Sequence, residues 1–141
     1  MSAYAVNLAM PYVLLTYHAY GSWLPDRPQG FVHWHEGLQR QNKRLARVYR
    51  ATMTADEVTF DLAVQRTMIA AVRDAAGFQR FRVHAIACEP THLHAVASWR
   101  DGRPLDALST GIKTSLTRRL NLEHGRGMWL SKGASKQPVR H

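Results

Sequence analysis

Two short runs of β-forming and apolar residues sit in mid-chain, Phe81 to Cys88 and His92 to Trp99, with only Glu89-Pro90-Thr91 between them. So short a gap, with a proline in it, leaves the two runs little choice but an antiparallel hairpin. The hairpin is flanked by segments of a different period. Upstream, Val58, Leu62, Ile69, Val72 and Ala76 recur at helical spacing, and Phe60, Val64 and Met68 widen the stripe until Gly77 ends it. Thr54-Ala55-Asp56-Glu57 has the form of a capping box, which predicts that this helix begins there. Downstream, Leu105, Leu108, Ile112, Leu116 and Leu120 make a second stripe that stops at Gly125 or Gly127.

Tyr12 to Tyr17 (YVLLTY) adds a strand before the first helix, and Met128-Trp129-Leu130 opens a fourth strand after the second helix, with a basic turn from Ser131 to Lys136. The order β-α-β-β-α-β predicts an α+β domain of ferredoxin-like type, a split βαβ sheet with both helices on one face. Gly21 to Gly30, after the first strand, carries enough glycine and proline to exclude regular structure. Loops of that length are usually functional or disordered. One domain spanning 1–141 accounts for the chain, because a chain of this size buries roughly two thirds of its unfolded surface without metals or disulfides as staples. The single cysteine, Cys88, admits no internal disulfide and points to a reducing, cytoplasmic setting. The apolar N-terminus has no basic leader and is broken by Asn7 and Pro11, so a membrane is not among the expected partners.

Charge narrows the partner class. Lys and Arg number 19 against 10 acidic residues, a formal +9. Arg40, Lys43, Arg44, Arg47 and Arg50 have no acid among them, and after Lys113 come Arg118, Arg119, Arg126, Lys132, Lys136 and Arg140 against Glu123 alone. Two such blocks favour nucleic acid, since lysine and arginine bind phosphates with release of counterions. Lys113, Arg118, Arg119, Lys132 and Lys136 are the candidate phosphate contacts, the alternative being a solvated face. Trp23, Trp34 and Trp99 are candidates for stacking on unpaired bases.

Within the hairpin, His92 and His94 bracket Leu93. On a strand, residues two apart share a face and stand roughly 6.5 to 7 Å apart. Two neutral imidazoles so placed can converge on one metal ion while Leu93 packs on the other side. A third ligand depends on the turn. Pairing Cys88 with His92 puts His84 on the histidine face, whereas pairing Glu89 with His92 puts Glu89 there. His33 and His35 repeat the spacing around Trp34, but in a polar loop, and read as surface residues or as neighbours of stacked DNA bases.

With these residues assembled, Glu89-Pro90-Thr91-His92-Leu93-His94-Ala95-Val96 after a strand resembles the HUH signature (histidine, hydrophobic, histidine) of single-tyrosine transposases, most closely the REP-associated tyrosine transposases. Thr16 to Val32 resembles their N-terminal strand and Gly-x-Trp-Leu-Pro loop, and Lys113 to Asn121 with Trp129 to Ser135 resembles their second helix and following strand. The resemblance implies a ferredoxin-like domain that recognises a DNA hairpin and nicks and rejoins single-stranded DNA beside it. It implies Mg²⁺ or Mn²⁺ held by His92 and His94 with a further ligand, and attack by a tyrosine to form a 5′-phosphotyrosine. In that family the tyrosine lies on a helix after the fourth strand. Here all five tyrosines, Tyr4, Tyr12, Tyr17, Tyr20 and Tyr49, precede His92, so the catalytic residue is unassigned. The expectation is a domain lacking that C-terminal helix. The alternatives are a DNA-binding module or inactive remnant without catalysis and, more distantly, a nucleotide hydrolase of histidine-triad type, which would want a histidine where Val96 stands. Expected partners are single-stranded or hairpin DNA, with a homodimer open.

Overall fold

Strand β1 (Tyr12–His18) alternates: Val13, Leu15 and Tyr17 are buried, while Tyr12, Leu14 and His18 are half-buried on the opposite side. The computed structural model describes residues 12–22, 31–33, 37–52 and 56–139. Trp23 and the rest of the loop to Gly30, Trp34, His35, Thr54 and Ala55, and Tyr4 lie outside these. After β1 come a short hairpin of β2 (Phe31–His33) and β3 (Gly37–Gln39), then the basic helix α1 (Lys43–Thr52). His33, expected in a loop, therefore belongs to a strand. Helices α2 (Leu62–Gln79) and α3 (Leu105–His124) enclose the hairpin of β4 (Arg82–Cys88) and β5 (His92–Ser98), and β6 (Ser135–Val139) closes the order.

The main sheet runs β4-β5-β1-β6 with every neighbouring pair antiparallel. This is the ferredoxin-like arrangement. Val13, Leu15 and Tyr17 of β1 join Leu93, Ala95 and Ala97 of β5 in one core with Val64, Met68 and Val72 of α2 and with Leu108, Ile112, Leu116 and Leu120 of α3. All the strand members have the same parity, so both helices cover one face. Among the described residues no helix is long and apolar enough to cross a membrane.

Three boundaries depart from the sequence reading. Helix α2 does not begin at Thr54-Ala55-Asp56-Glu57; its N-cap is Asp61, whose carboxylate accepts from the Val64 amide at 2.8 Å. Residues 56–60 are claimed by other backbone partners instead. The Val58 amide donates to the Tyr20 carbonyl at 2.8 Å and the Phe60 amide to the Pro90 carbonyl at 2.7 Å, bonds that a helix would have turned inward. Leu62, placed in the apolar stripe, is consequently 67% exposed in the first turn. Nor does Gly77 end the helix, which continues to Gln79 and stops at Arg80 in the left-handed region (φ 58°). The fourth strand is the polar Ser135–Val139, not Met128-Trp129-Leu130, where only Leu130 bridges to Ala19. Pro138 is tolerated in β6 because this is an edge strand paired only with β1.

Candidate metal centre

The β4–β5 register decides which side chain joins the histidine pair. Cys88 faces Leu93 and Ala87 faces His94, and the Glu89 amide donates to the His92 carbonyl at 2.8 Å across the turn. Glu89 therefore shares the face of His92 and His94. A coordinating atom from each of the three lies within 4.8 Å of the others. The His92 and His94 ring centroids are 4.5 Å apart with the rings at 77°, and His92 Nε2 is 2.9 Å from a Glu89 carboxylate oxygen. The His92 side chain is 25% exposed and that of Glu89 55%, so the cluster opens to solvent from the acidic side.

One hydroxyl from the neighbouring strand and one from the turn meet the rings. Thr16, opposite His94 on β1, has its hydroxyl 2.9 Å from His94 Nδ1, and the Thr91 hydroxyl is 2.9 Å from His92 Nδ1. Hydroxyls on the Nδ1 side leave Nε2 as the outward nitrogen, the arrangement that orients imidazole ligands in metal sites. The turn itself is held by distant segments: besides the Phe60–Pro90 bond, the Ala19 amide donates to the Thr91 carbonyl at 2.8 Å. Two imidazoles, each met by a hydroxyl, and one exposed carboxylate make a donor set that fits a divalent cation accepting both nitrogen and oxygen ligands.

His84 does not join them. It is the extra residue where the β4–β5 register shifts between Val83 and Ala85, and its Nε2 lies 2.7 Å from the Ser98 hydroxyl at the other end of β5. His18, which the sequence reading passed over, does stand at the cluster: it pairs with His92 across β1–β5, with ring centroids 5.9 Å apart. Its signal was the parity it shares with Thr16, legible only once β1 is known to neighbour β5. Tyr17 lies on the helix-covered face. Its hydroxyl donates to the Ser109 carbonyl at 2.9 Å, and burial pushes its pKa up to about 12.

The basic candidates divide into two groups. Lys113 and Arg118 line an open hollow of about 410 Å³ on the outer side of α3 with Thr110, Thr114, Thr117 and Asn121. Lys132 lies close enough that it adds to burial in lowering the Lys113 pKa. No salt bridge to Lys113, Arg118 or Lys132 occurs among the described residues. Arg119 and Lys136, in contrast, are engaged: Arg119 Nη2 reaches Asp74 of α2 at 2.7 Å, and Lys136 Nζ reaches Asp106 at 2.8 Å.

Fold and cluster together define a ferredoxin-like sheet with a histidine–histidine–glutamate site at one end of the face turned away from its helices. Among solved structures the chain is similar to one of a REP-associated tyrosine transposase bound to a REP hairpin, with a TM-score of 0.53 and 11% sequence identity. The match covers 93% of this chain but 57% of that one, so the chain spans little more than half its length. At that identity the likeness shows the fold. No family model and no curated protein matches the sequence.

Proposed function

We propose that the chain is a metal-dependent DNA-nicking and rejoining domain of the REP-associated tyrosine transposase type, working on single-stranded or hairpin DNA in the cytoplasm. The observation that carries this reading is the convergence of Glu89, His92 and His94 within 4.8 Å on an open sheet face. The solved transposase with the same fold, bound to a REP hairpin, supports DNA as the partner. Glu89, His92 and His94 would hold a divalent cation, Mn²⁺ in preference to Mg²⁺, because two donors are imidazole nitrogens and Mg²⁺ favours oxygen. When bound, the cation supplies Lewis-acid polarisation of a phosphate ester. Thr16 and Thr91 keep the two rings turned toward the cluster. Lys113, Arg118 and Lys132, without salt bridges among the described residues, draw in backbone phosphates, while Arg119 and Lys136 must first leave Asp74 and Asp106.

The attacking hydroxyl is the open half of the site. Tyr17 is set aside by its burial on the opposite face, and Tyr12 stacks on His84 rather than standing by the pair. Tyr20, two residues beyond His18, is a further described tyrosine whose backbone lies at the cluster's end of the sheet. A second reading, a DNA-binding module without cleavage, is supported by the burial of Tyr17 away from the cluster and the stacking of Tyr12 on His84.

One experiment separates the readings. A labelled hairpin oligonucleotide is incubated with the protein in Mn²⁺ or in chelator, and binding, nicking and covalent adduct are followed together. Nicking that needs Mn²⁺ and disappears in His92→Ala supports the enzyme, and peptide mapping of the adduct identifies the tyrosine. Hairpin binding without nicking under any condition establishes the binding module. No binding to the hairpin at low salt overturns both.

A further inference from the structure

The other end of the same sheet face has features that the histidine cluster does not use. Tyr12 and His84 stack with ring centroids 4.3 Å apart and planes at 16°. Beside them opens a cavity of about 440 Å³ whose lining includes Arg80, Arg82, Arg100 and Trp99. Its volume falls in the range of small-ligand sites, about 300 to 1,000 Å³. Asp101, the acidic residue in the lining, is already taken: its carboxylate accepts from Arg103 Nε at 2.9 Å and from the Arg103 amide at 3.1 Å. No salt bridge to Arg80, Arg82 or Arg100 occurs among the described residues.

The wall is braced. The Trp99 indole donates to the Arg103 carbonyl at 2.9 Å, and Arg103 Nη2 donates to the carbonyl of Arg80 at 2.6 Å, which ties down that residue's left-handed backbone. Burial, and the Arg82 guanidinium beside it, lower the His84 pKa, favouring a neutral ring suited to stacking. Arg80 lies within electrostatic reach of Asp101, but Arg82 and Arg100 have no acid partner among the described residues and call for an anion, and a pair of parallel rings calls for a flat π-system. One chemical unit offers both at this size, a nucleobase with its phosphate.

We propose that this cavity is a second site that seats one unpaired nucleotide, its base continuing the Tyr12–His84 stack and its phosphate against Arg82 and Arg100. The inference rests on the DNA reading above for the source of that nucleotide, a single-stranded segment next to a hairpin. Strand β5 connects the two sites. His92 and Ser98 are six residues apart, on the order of 20 Å along the strand, so a short single strand can lie across the face with one phosphate at the histidine cluster and a base held in the cavity.

The test compares fluorescein-labelled hairpins, one blunt and others with a short single-stranded extension on either the 5′ or the 3′ arm, by fluorescence anisotropy at fixed salt. The variants are Arg82→Ala/Arg100→Ala and Tyr12→Leu, with Arg73→Ala on the outer face of α2 as a control for charge alone. The expected result is that one extended hairpin binds wild type about tenfold more tightly than the blunt one, and that both cavity variants erase the difference, a stacking contribution of ordinary size. Equal losses on blunt and extended hairpins, or losses no larger than those of Arg73→Ala, would overturn the inference. Should wild type bind no hairpin, the DNA reading fails and the cavity is judged by deoxyadenosine monophosphate alone. Binding of that nucleotide, seen by calorimetry and lost in both cavity variants, sustains the site; no binding refutes it.

Discussion

Leu93 and His94 are adjacent in sequence and in one strand, yet they share almost nothing of their surroundings. Leu93 is 0% exposed and packs with Leu15, Tyr17 and Met68 in the core beneath the helices. His94 is half-buried on the other side, its ring held by Thr16 and edge-on to His92. One face of β5 therefore secures the fold and the other carries the proposed metal ligands, and the pleat keeps the two apart residue by residue. Damage on one face should read out as stability and damage on the other as metal affinity.

The largest expected effect is on the packing face. Leu93→Ala leaves a cavity where no solvent reaches and should destabilise the chain by about 2 to 5 kcal/mol. Urea denaturation measures this, and Mn²⁺ affinity extrapolated to the fully folded population should stay within a few-fold of wild type. A variant that folds normally but has lost the metal would break the division of labour. Next comes the opposite face. His94→Ala removes one of the three proposed ligands and should weaken Mn²⁺ binding by about 100-fold or more, which is about 2.7 kcal/mol, while the metal-free midpoint in urea hardly moves. If His94→Ala instead unfolds the chain and leaves affinity per folded molecule intact, the histidine pair is structural.

The two faces also differed in how well the sequence announced them. The shared face of His92 and His94 and the turn at Glu89-Pro90-Thr91 follow from parity and proline, and both stand in the structure. The apolar stripe of α3 was legible because Leu108, Ile112, Leu116 and Leu120 keep helical period without interruption. The third member of the cluster was not legible, since a shift of one residue in the turn exchanges Glu89 for His84. The turn that goes with Glu89 is held by bonds from Phe60 and Ala19, which no local pattern contains. Thr54 to Glu57 misled for a related reason. A capping signature is a local preference, and the amides of Val58 and Phe60 found partners in β1's extension and in the turn. The last strand was missed because hydrophobicity pointed to Trp129 and Leu130, whereas an edge strand such as Ser135–Val139 needs only one hydrogen-bonded side and can be polar.

Thr16 tests whether the ligand face extends beyond its ligands. Its side chain is 7% exposed and its hydroxyl meets His94 Nδ1. Thr16→Val keeps the shape and removes the hydroxyl, so Mn²⁺ affinity should fall by about 10- to 100-fold. Calorimetric titration of the two proteins decides it. An unchanged affinity would mean that His94 is oriented by packing alone, and the boundary between the faces would then run between β1 and β5 rather than along both.

Tyr17 gives the smallest effect and the sharpest test of the boundary, because it carries the chemistry of a nucleophile while standing on the packing face. Its hydroxyl donates to the Ser109 carbonyl, and burial raises its pKa from the ordinary 10 to about 12. Tyr17→Phe should lower stability by about 1 kcal/mol through loss of that one bond and leave any Mn²⁺-dependent nicking as it was. The pH profile adds a check with a definite sign. The folded protein holds the phenol neutral more firmly than the unfolded chain does, so the Tyr17 contribution to stability is complete below pH 10 and is lost as pH rises toward 12. Tyr17→Phe should remove that alkaline decline from the denaturation midpoint. Were nicking to vanish in Tyr17→Phe with stability unchanged, Tyr17 would have to leave Ser109 and cross to the ligand face, and the separation of the two faces of the sheet would be wrong.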